Sequence, residues 1–400
     1  MPNYKYKAMN SKGERLESTY IANSKDEVIE MISSNNFYPL MVEEVKQGIK
    51  FDFKSFKKVT TKDIAVFCRQ FYTMLDAGST INNSIHILAE QHTNKKLRDA
   101  LNNIEEELRK GETLSQAMRN QQGIFPDLLI SLVETGEVSG TLDIIMSRMA
   151  IHYEKESKIN NKIKNAMIYP AVLSVVALSV IIFILSFVMP IFVSMFESSG
   201  VDLPASTRIM LGLSKGIKNY WLLILLIVIL MVMGLRYYFK TEEGQLTKDK
   251  MKLSFPIIKK LNEKIIVSRF TRTLATVITS GISVVQGLQI VSGVVGNKVA
   301  EESLLNVKDK LIKGEGLSEP LKETKIFPPM LSSMVKIGEE SGALDEILNK
   351  TADFYDEELE AEIQTFTSLL EPIMIAVVGI IIGIMIISII QPMFGMYNTM

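Results

Sequence analysis

Long stretches without charged side chains divide the chain into parts that face water and parts that face lipid. Three stretches are apolar and long enough to span a bilayer: residues 165–196, 219–235 and 372–400. The second is near the lower limit of roughly 17 residues for a spanning helix, but Trp221 and Arg236 at its ends are typical interfacial anchors. The alternative is that each stretch is a wholly buried core helix. The pattern predicts transmembrane helices at 170–196, 219–239 and 372–395.

The segments outside these stretches carry apolar positions at helical spacing. Ile64, Phe67 and Phe71 recur every three or four residues, and Phe270 and Leu274 repeat the pattern in a later segment. Glycines end these helices, and the short connections that follow favour antiparallel neighbours. We therefore expect two compact helical bundles, at residues 61–169 and 240–371.

The two predicted bundles are copies of each other. The sequence GEVSGTLD at 136–143 returns as GEESGALD at 338–345, an offset of 202 positions that Pro170 and Pro372 share. Arg69 and Arg272 are 203 positions apart, which indicates one insertion or deletion between the copies. A duplicated helical unit that leads into a span each time predicts a scaffold embedded in the bilayer.

The repeated motif predicts a helix–turn–helix joint. Its members, with Arg69 and Arg272 from the first helix of each copy, form a structural motif and candidate partner contact: Gly136, Glu137, Gly140, Asp143, Gly338, Glu339, Gly342 and Asp345. The glycines permit the turn, Ser139 or Thr141 caps the next helix, and the aspartates favour its N-terminus. The alternative is a docking or cation site on the two glutamates.

The start of each duplicated span predicts a membrane junction. Its residues are Pro170, Glu371 and Pro372. Proline removes a backbone donor, so bundle and span are expected to meet at an angle. Tyr169 occupies the place of Glu371 in the first copy, and a carboxylate beside the bilayer is costly unless it is paired or hydrated. In the third span, Gly379 and Gly383 form a GxxxG pattern that permits close helix packing.

The first 48 residues follow a different pattern. Alternation from Tyr4 to Met9, a turn near Gly13 and a capped helix after Ser24 predict a small α+β domain at 1–48. Residues 49–60 are the linker to the first bundle.

Charge predicts the orientation of the spans. Basic residues cluster before the first span and after the second: Lys155, Lys158, Lys162, Lys164, Arg236, Lys240, Lys248, Lys250, Lys252, Lys259 and Lys260. Few lie between these spans, and none follows the third. The rule that cytoplasmic flanks are positive places the N-terminus and both bundles in the cytoplasm. The loop 197–218 and the C-terminus 396–400 are then external.

The composition offers little for catalysis. Three histidines outside any HExxH pattern leave no zinc ligand set, and GLSKG at 212–216 lacks the strand–turn–helix context of a hydrolase elbow. We expect no catalytic residue, metal site or cofactor. The 44 basic and 45 acidic residues give no footprint for direct nucleic-acid binding. The acidic residues Asp356, Glu357, Glu358 and Glu360 are expected on a solvated face.

The order of these parts resembles the type II secretion F and type IV pilus platform protein family. The resemblance covers nearly the whole chain and rests on the duplicated motif at a fixed distance before each proline-headed span. It implies a non-enzymatic assembly platform in the cytoplasmic membrane that contacts a hexameric cytoplasmic ATPase. Family partners would include a pilin or pseudopilin, other inner-membrane pilus components, membrane lipid and further copies of the chain.

Other classes fit the sequence less well. A transporter would need more spans and polar residues near the bilayer midplane, and a membrane enzyme would need an acid–base or metal constellation. A passive multi-pass scaffold and a competence DNA-uptake pseudopilus platform remain the alternatives.

Overall fold

A computed structural model describes residues 3–10, 15–35, 37–44, 58–192 and 205–397. The chain forms two compact units, residues 1–58 and 59–400. The proposed linker 49–60 therefore lies largely outside the described residues, as do the beginning of the predicted external loop and residues 398–400.

The first unit is a three-stranded antiparallel sheet with one helix. Strands β1 (Asn3–Asn10), β2 (Arg15–Ile21) and β3 (Phe37–Glu44) lie in the order β2-β1-β3, and α1 (Lys25–Ser34) connects β2 to β3. Alternate residues of β1 point to one face, so Tyr4, Tyr6 and Ala8 meet Val28 and Ile32 of α1 in a small core.

The second unit is helical and shows the duplication directly. Repeat one contains α2 (Thr61–Asp76), α3 (Ile81–Gln91), α4 (Lys95–Arg109), α5 (Leu114–Asn120), α6 (Asp127–Ser139), α7 (Leu142–Ala166) and α8 (Ile168–Phe183). Two helices connect it to repeat two: α9 (Ala205–Tyr238) and α10 (Glu242–Ser254). Repeat two contains α11 (Pro256–Thr279), α12 (Val284–Val294), α13 (Lys298–Ile312), α14 (Ser318–Glu323), α15 (Pro329–Ser341) and α16 (Leu344–Tyr397).

Each repeat buries its own apolar core, because every helix presents an apolar stripe to its neighbours. Phe67 and Phe71 stack in repeat one, and Phe67 also meets Phe125. Phe270 and Phe327 make the equivalent contact in repeat two. The cores are not independent, since Val277 of repeat two is fully buried in the core of repeat one.

Within the residues that the structure describes, three helices are long and apolar enough to cross a membrane. They lie within Leu142–Phe192, Lys218–Tyr238 and Leu344–Ile390. The first contains a π-helical turn at Ile184–Val188, where the Met189 N–H donates to the Ile184 carbonyl. Ser214 from α9 donates to the neighbouring Leu185 carbonyl at 2.5 Å, in a small apolar cluster that also holds Met385 of α16.

The predicted architecture of two helical repeats, three membrane-length helices and a small mixed N-terminal domain is confirmed. The segment predicted as an external loop is helical from Ala205 onward. Tyr220, at the start of the second span, departs from helical geometry (φ −120°, ψ 21°).

Candidate functional site: the motif and the contact between repeats

The motif glutamate caps a neighbouring helix in both repeats. The Glu137 carboxylate accepts hydrogen bonds from Leu114 N at 2.6 Å and Ser115 N at 2.9 Å. Glu339 accepts from Leu317 N at 2.5 Å and from the following backbone N–H at 3.1 Å. A negative charge at a helix N-terminus satisfies free donors and opposes the helix dipole. The glutamates therefore lock α5 to α6 and α14 to α15.

The motif glycines meet two different geometric demands. Gly140 and Gly342 end their helices with φ of 71° and 67°, a left-handed conformation that favours glycine. Gly136 and Gly338 are helical, but the next helix crosses them closely. A Cβ added at Gly136 would lie 3.1 Å from the Leu142 Cα, and one at Gly338 would lie 3.0 Å from the equivalent atom.

The remaining motif positions only partly follow the expectation. Asp143 and Asp345 lie in the first turns of α7 and α16, where a negative charge is favourable. The predicted capping of α7 by Ser139 or Thr141 is wrong: the Ser139 hydroxyl bonds the Thr135 carbonyl, and Thr141 makes no side-chain cap. Thr141 has φ −114° and ψ 35° rather than the extended backbone of an N-cap.

The repeated arginine forms an ion pair in each copy. Arg69 on α2 donates to both oxygens of Glu154 on α7, at 2.8 and 2.7 Å. This pair raises the pKa of Arg69 and lowers the pKa of Glu154. In repeat two Arg272 contacts Asp356, and it also reaches Asp353 at 3.1 Å.

The two arginines differ in environment. The Arg69 side chain is 39% exposed, whereas Arg272 is 11% exposed and Asp356 15%. The expectation that Asp356 lies on a solvated face is therefore wrong, because Asp356 faces Ser268 and Arg272 of α11. Sequence reasoning also missed Glu154. The repeat alignment places it opposite Asp356, and that shared acidic position was the available signal.

Helices α7 and α16 pack side by side and run in the same direction. Lys155 pairs with Asp353 at 2.7 Å, Lys162 pairs with Glu360, and further along the Tyr169 hydroxyl reaches Glu371 at 3.5 Å. The residue numbers of the partners increase together along both helices, so the helices are parallel. Basic residues predicted to orient the first span thus also bind repeat two.

Repeat one inserts one face of α7 into a groove of repeat two. His152, Glu156 and Asn160 enter the groove between α11 and α16, and the cavity left there measures only about 20 Å³. Burial and the nearby charge of Arg272 lower the pKa of His152 to about 3. Burial raises the pKa of Glu156, against the opposing charge of Arg269 at 4.0 Å.

The membrane junction differs between the copies. Helix α7 ends at Ala166 and α8 begins at Ile168, four and two residues before Pro170, which lacks a backbone N–H. In repeat two Pro372 lies inside α16, which continues from bundle to span as one helix. The expected break at the proline is present only in the first copy.

The glycines of the third span are open in the single chain. A Cβ added at Gly379 or Gly383 would meet no neighbouring atom within 4 Å. The described spans therefore do not use this GxxxG pattern to pack against one another.

The described residues hold no group of three or more His, Cys, Asp or Glu side chains arranged for a metal ion. Cys68 is fully buried, and burial raises the pKa of its thiol far above the ordinary range. Burial likewise raises the pKa of Tyr153 in the same core. These groups are held in the uncharged form inside repeat one.

Comparison with known proteins places the duplication in a family. Type II secretion system protein F matches residues 67–190 and 270–392, and the N-terminal domain of that family matches residues 1–43. The chain is 35% identical to type IV pilus assembly protein PilC of Thermus thermophilus, over 100% of this chain and 99% of that protein. It is 32% identical to type IV pilus assembly protein TapC of Aeromonas hydrophila (98% and 94%) and 28% identical to type II secretion system protein F of Vibrio cholerae (100% and 100%). The chain belongs to the type II secretion system protein F family, an inner-membrane family whose members serve in type IV pilus assembly and type II secretion.

Proposed function

We propose that the chain is a non-enzymatic assembly platform that passes the motion of a cytoplasmic ATPase to filament subunits in the membrane. The observation that carries the proposal is the continuity of α16, one helix from Leu344 at the motif to Tyr397 beyond the third span. A rotation or tilt imposed on repeat two therefore reaches the bilayer without a flexible joint. The names of the relatives, which assign them to pilus assembly and secretion, supply the biological setting.

The partners follow from this role. We propose a hexameric ATPase below the bundles, a pilin or pseudopilin beside the spans, and contacts with other inner-membrane components and with further copies of the chain. None of the second membrane-length helix is buried within the chain, so its apolar surface is available to lipid or to such partners.

The orientation we propose has the N-terminus and both repeats in the cytoplasm and the C-terminus outside. The lysines before the first span and the basic residues after the second support it. A periplasmic reporter fused after Met400 should be active, and the same reporter inserted between α10 and α11 should be inactive. The opposite pattern would exclude this orientation.

Capture of the ATPase tests the central role. Deletion of one repeat would damage the other, because Val277 of repeat two packs in the core of repeat one. Point variants are therefore better. Val138 is 88% exposed at the end of α6 far from the membrane, and its counterpart in repeat two is Glu340.

We expect Val138→Glu in the full chain to reduce capture of the host's secretion-type ATPase from detergent. Glu340→Gln serves as the matched control and should leave capture unchanged. Loss of filament assembly should accompany loss of capture. If the folded wild-type protein captures no ATPase, a passive membrane scaffold becomes the better description.

A further inference from the structure

The contact between the two repeats is not symmetric. Repeat one uses α6 and α7, whereas repeat two uses α11 and α12, the counterparts of α2 and α3, together with one face of α16. Thus Arg148 of α7 donates to the Thr279 carbonyl, and His152 Nδ1 lies 3.4 Å from the Thr276 hydroxyl. Different surfaces of two like units meet, which defines a heterologous interface, and such an interface leaves one complementary surface unused on each unit.

The unused surface of repeat one is an open groove between α2 and α7. It has a volume of about 530 Å³ and is lined by repeat-one residues alone, including Val66 and Arg69. The equivalent residues of repeat two, Arg269 and Arg272, line the cavity of about 20 Å³ that α7 fills. The same groove is therefore occupied in one copy and empty in the other.

The unused surface of repeat two is the outer face of α16. The residues equivalent to His152 and Glu156, which fill the groove of repeat two, are Phe354 and Glu358. Phe354 is 39% exposed and the Glu358 side chain 43%. This face thus leaves a large aromatic ring partly in water, beside a row of carboxylates.

The charges of the two unused surfaces are complementary. The open groove carries Lys62, and at its edge Lys158 and Lys162, which also pair with Glu360 of the same chain. The outer face of α16 carries Glu357 and Glu362, and also Glu358, which accepts a hydrogen bond from Lys264 of α11. Opposite charges on the two surfaces would favour their approach and fix their orientation.

We propose that the open groove of repeat one binds the outer face of α16 from a second copy of this chain, continuing the contact between the repeats into an oligomer. In this arrangement Phe354 of the second copy lies over Arg69 and Thr73, in the place that His152 takes within the chain. Because α7 and α16 are parallel, repeating the contact keeps every copy in the same orientation across the bilayer. The inference rests on the self-association included in the proposed function.

Crosslinking in membranes tests this contact directly. Two full-length versions with different tags, Thr73→Cys and Phe354→Cys, are co-expressed and treated with a short bismaleimide. The native Cys68 is fully buried and stays in place. We expect mixed dimers linked between positions 73 and 354. Dimers linked only 73 to 73 or 354 to 354 would overturn the proposal, because they indicate a two-fold contact.

An internal pair controls for folding and for the reagent. Lys155→Cys with Asp353→Cys in one chain should crosslink within that chain, since the native side chains are 2.7 Å apart. If this internal link forms and no 73–354 dimer appears, the proposed interface is wrong.

Charge exchange provides a second test in the full chain. Lys62→Glu should lower the yield of the 73–354 dimer by roughly threefold to fivefold, the scale of one exposed ion pair. Adding Glu362→Lys should restore it; no restoration would contradict the register proposed here. ATPase capture that survives without the dimer would overturn this interface alone, and a dimer without ATPase capture would overturn the force-transmitting role alone.

Discussion

Repeat one and repeat two share their internal geometry but differ where they contact each other and where they join the membrane. Glu137 and Glu339 cap equivalent helices with the same pair of hydrogen bonds. The junction with the membrane, by contrast, is broken near Pro170 and continuous through Pro372. Duplication preserved the contacts within each bundle, and divergence is found at the contact between the bundles and at the junction with the membrane.

Substitution of Arg69 and of Arg272 should give the largest difference in stability between the two repeats. We expect Arg272→Ala to destabilise the full chain by about 3–5 kcal/mol, because it leaves the half-buried carboxylate of Asp356 without its partner. Arg69→Ala should cost less than about 1 kcal/mol, since its pair with Glu154 is largely hydrated. Chemical unfolding in detergent measures both. Equal losses would show that the contact between repeats does not bury Arg272 in solution.

The buried His152 should make the stability of the fold depend on pH. The folded protein keeps His152 neutral, because burial lowers its pKa to about 3, whereas an unfolded histidine binds a proton near 6.5. This group therefore favours the folded state above pH 6.5, and that stability is lost as the pH falls toward 3. Between pH 6.5 and 4 the loss should be about 3 kcal/mol.

His152→Phe, which places the residue of repeat two at this position, isolates the effect. The variant should show a shallower fall of unfolding free energy between pH 6.5 and 4 than the wild type. Burial of Glu156 acts in the opposite direction, but it is common to both proteins and cancels in the difference. Parallel pH profiles would mean that solvent reaches His152.

The motif glutamates should behave alike, in contrast to the arginines. Glu137→Ala and Glu339→Ala each leave two backbone N–H groups without their acceptor, at a cost of about 1–3 kcal/mol. Thermal unfolding of the two variants should give similar losses. An unchanged unfolding temperature for either variant would indicate that water replaces the carboxylate at that site.

The smallest expected effect lies where the first part of α9 contacts the first span. Ser214→Ala removes the hydrogen bond to the Leu185 carbonyl and should cost about 0.6 kcal/mol, the usual scale for hydrogen bonds between helices of membrane proteins. The matched control is Ser179→Ala in the first span, because the Ser179 hydroxyl bonds the Val175 carbonyl of its own helix. A larger loss of stability for the control variant would show that the Ser214 hydrogen bond does not stabilise the contact between α9 and the first span.

Much of this fold is readable from the sequence because its signals are local. Charge-free runs mark the spans, and a repeated octapeptide marks the joint in each bundle. The left-handed turns at Gly140 and Gly342 are likewise local and were predictable from residue type. The two repeats and the three membrane-length helices could therefore be assigned by pattern alone.

What the sequence could not reveal depends on distant partners. Glu137 accepts hydrogen bonds from backbone N–H groups 22 and 23 residues away, a pairing that no rule of sequence spacing predicts. The burial of Asp356 depends on Ser268 and Arg272 of α11, which lie 88 and 84 residues away in the sequence. The helix that begins at Ala205 was missed because the segment is neither long enough nor apolar enough to resemble a span.

The π-helical turn at Ile184–Val188 has a consequence for how the two duplicated spans present their side chains. An α-helix turns about 100° per residue, so one turn with an extra residue shifts the angular phase of everything after it by about that amount. The third span has no such turn and keeps its phase. At residues 189–192, beyond this turn, the first span thus presents its side chains about 100° away from the direction that an uninterrupted α-helix would give them.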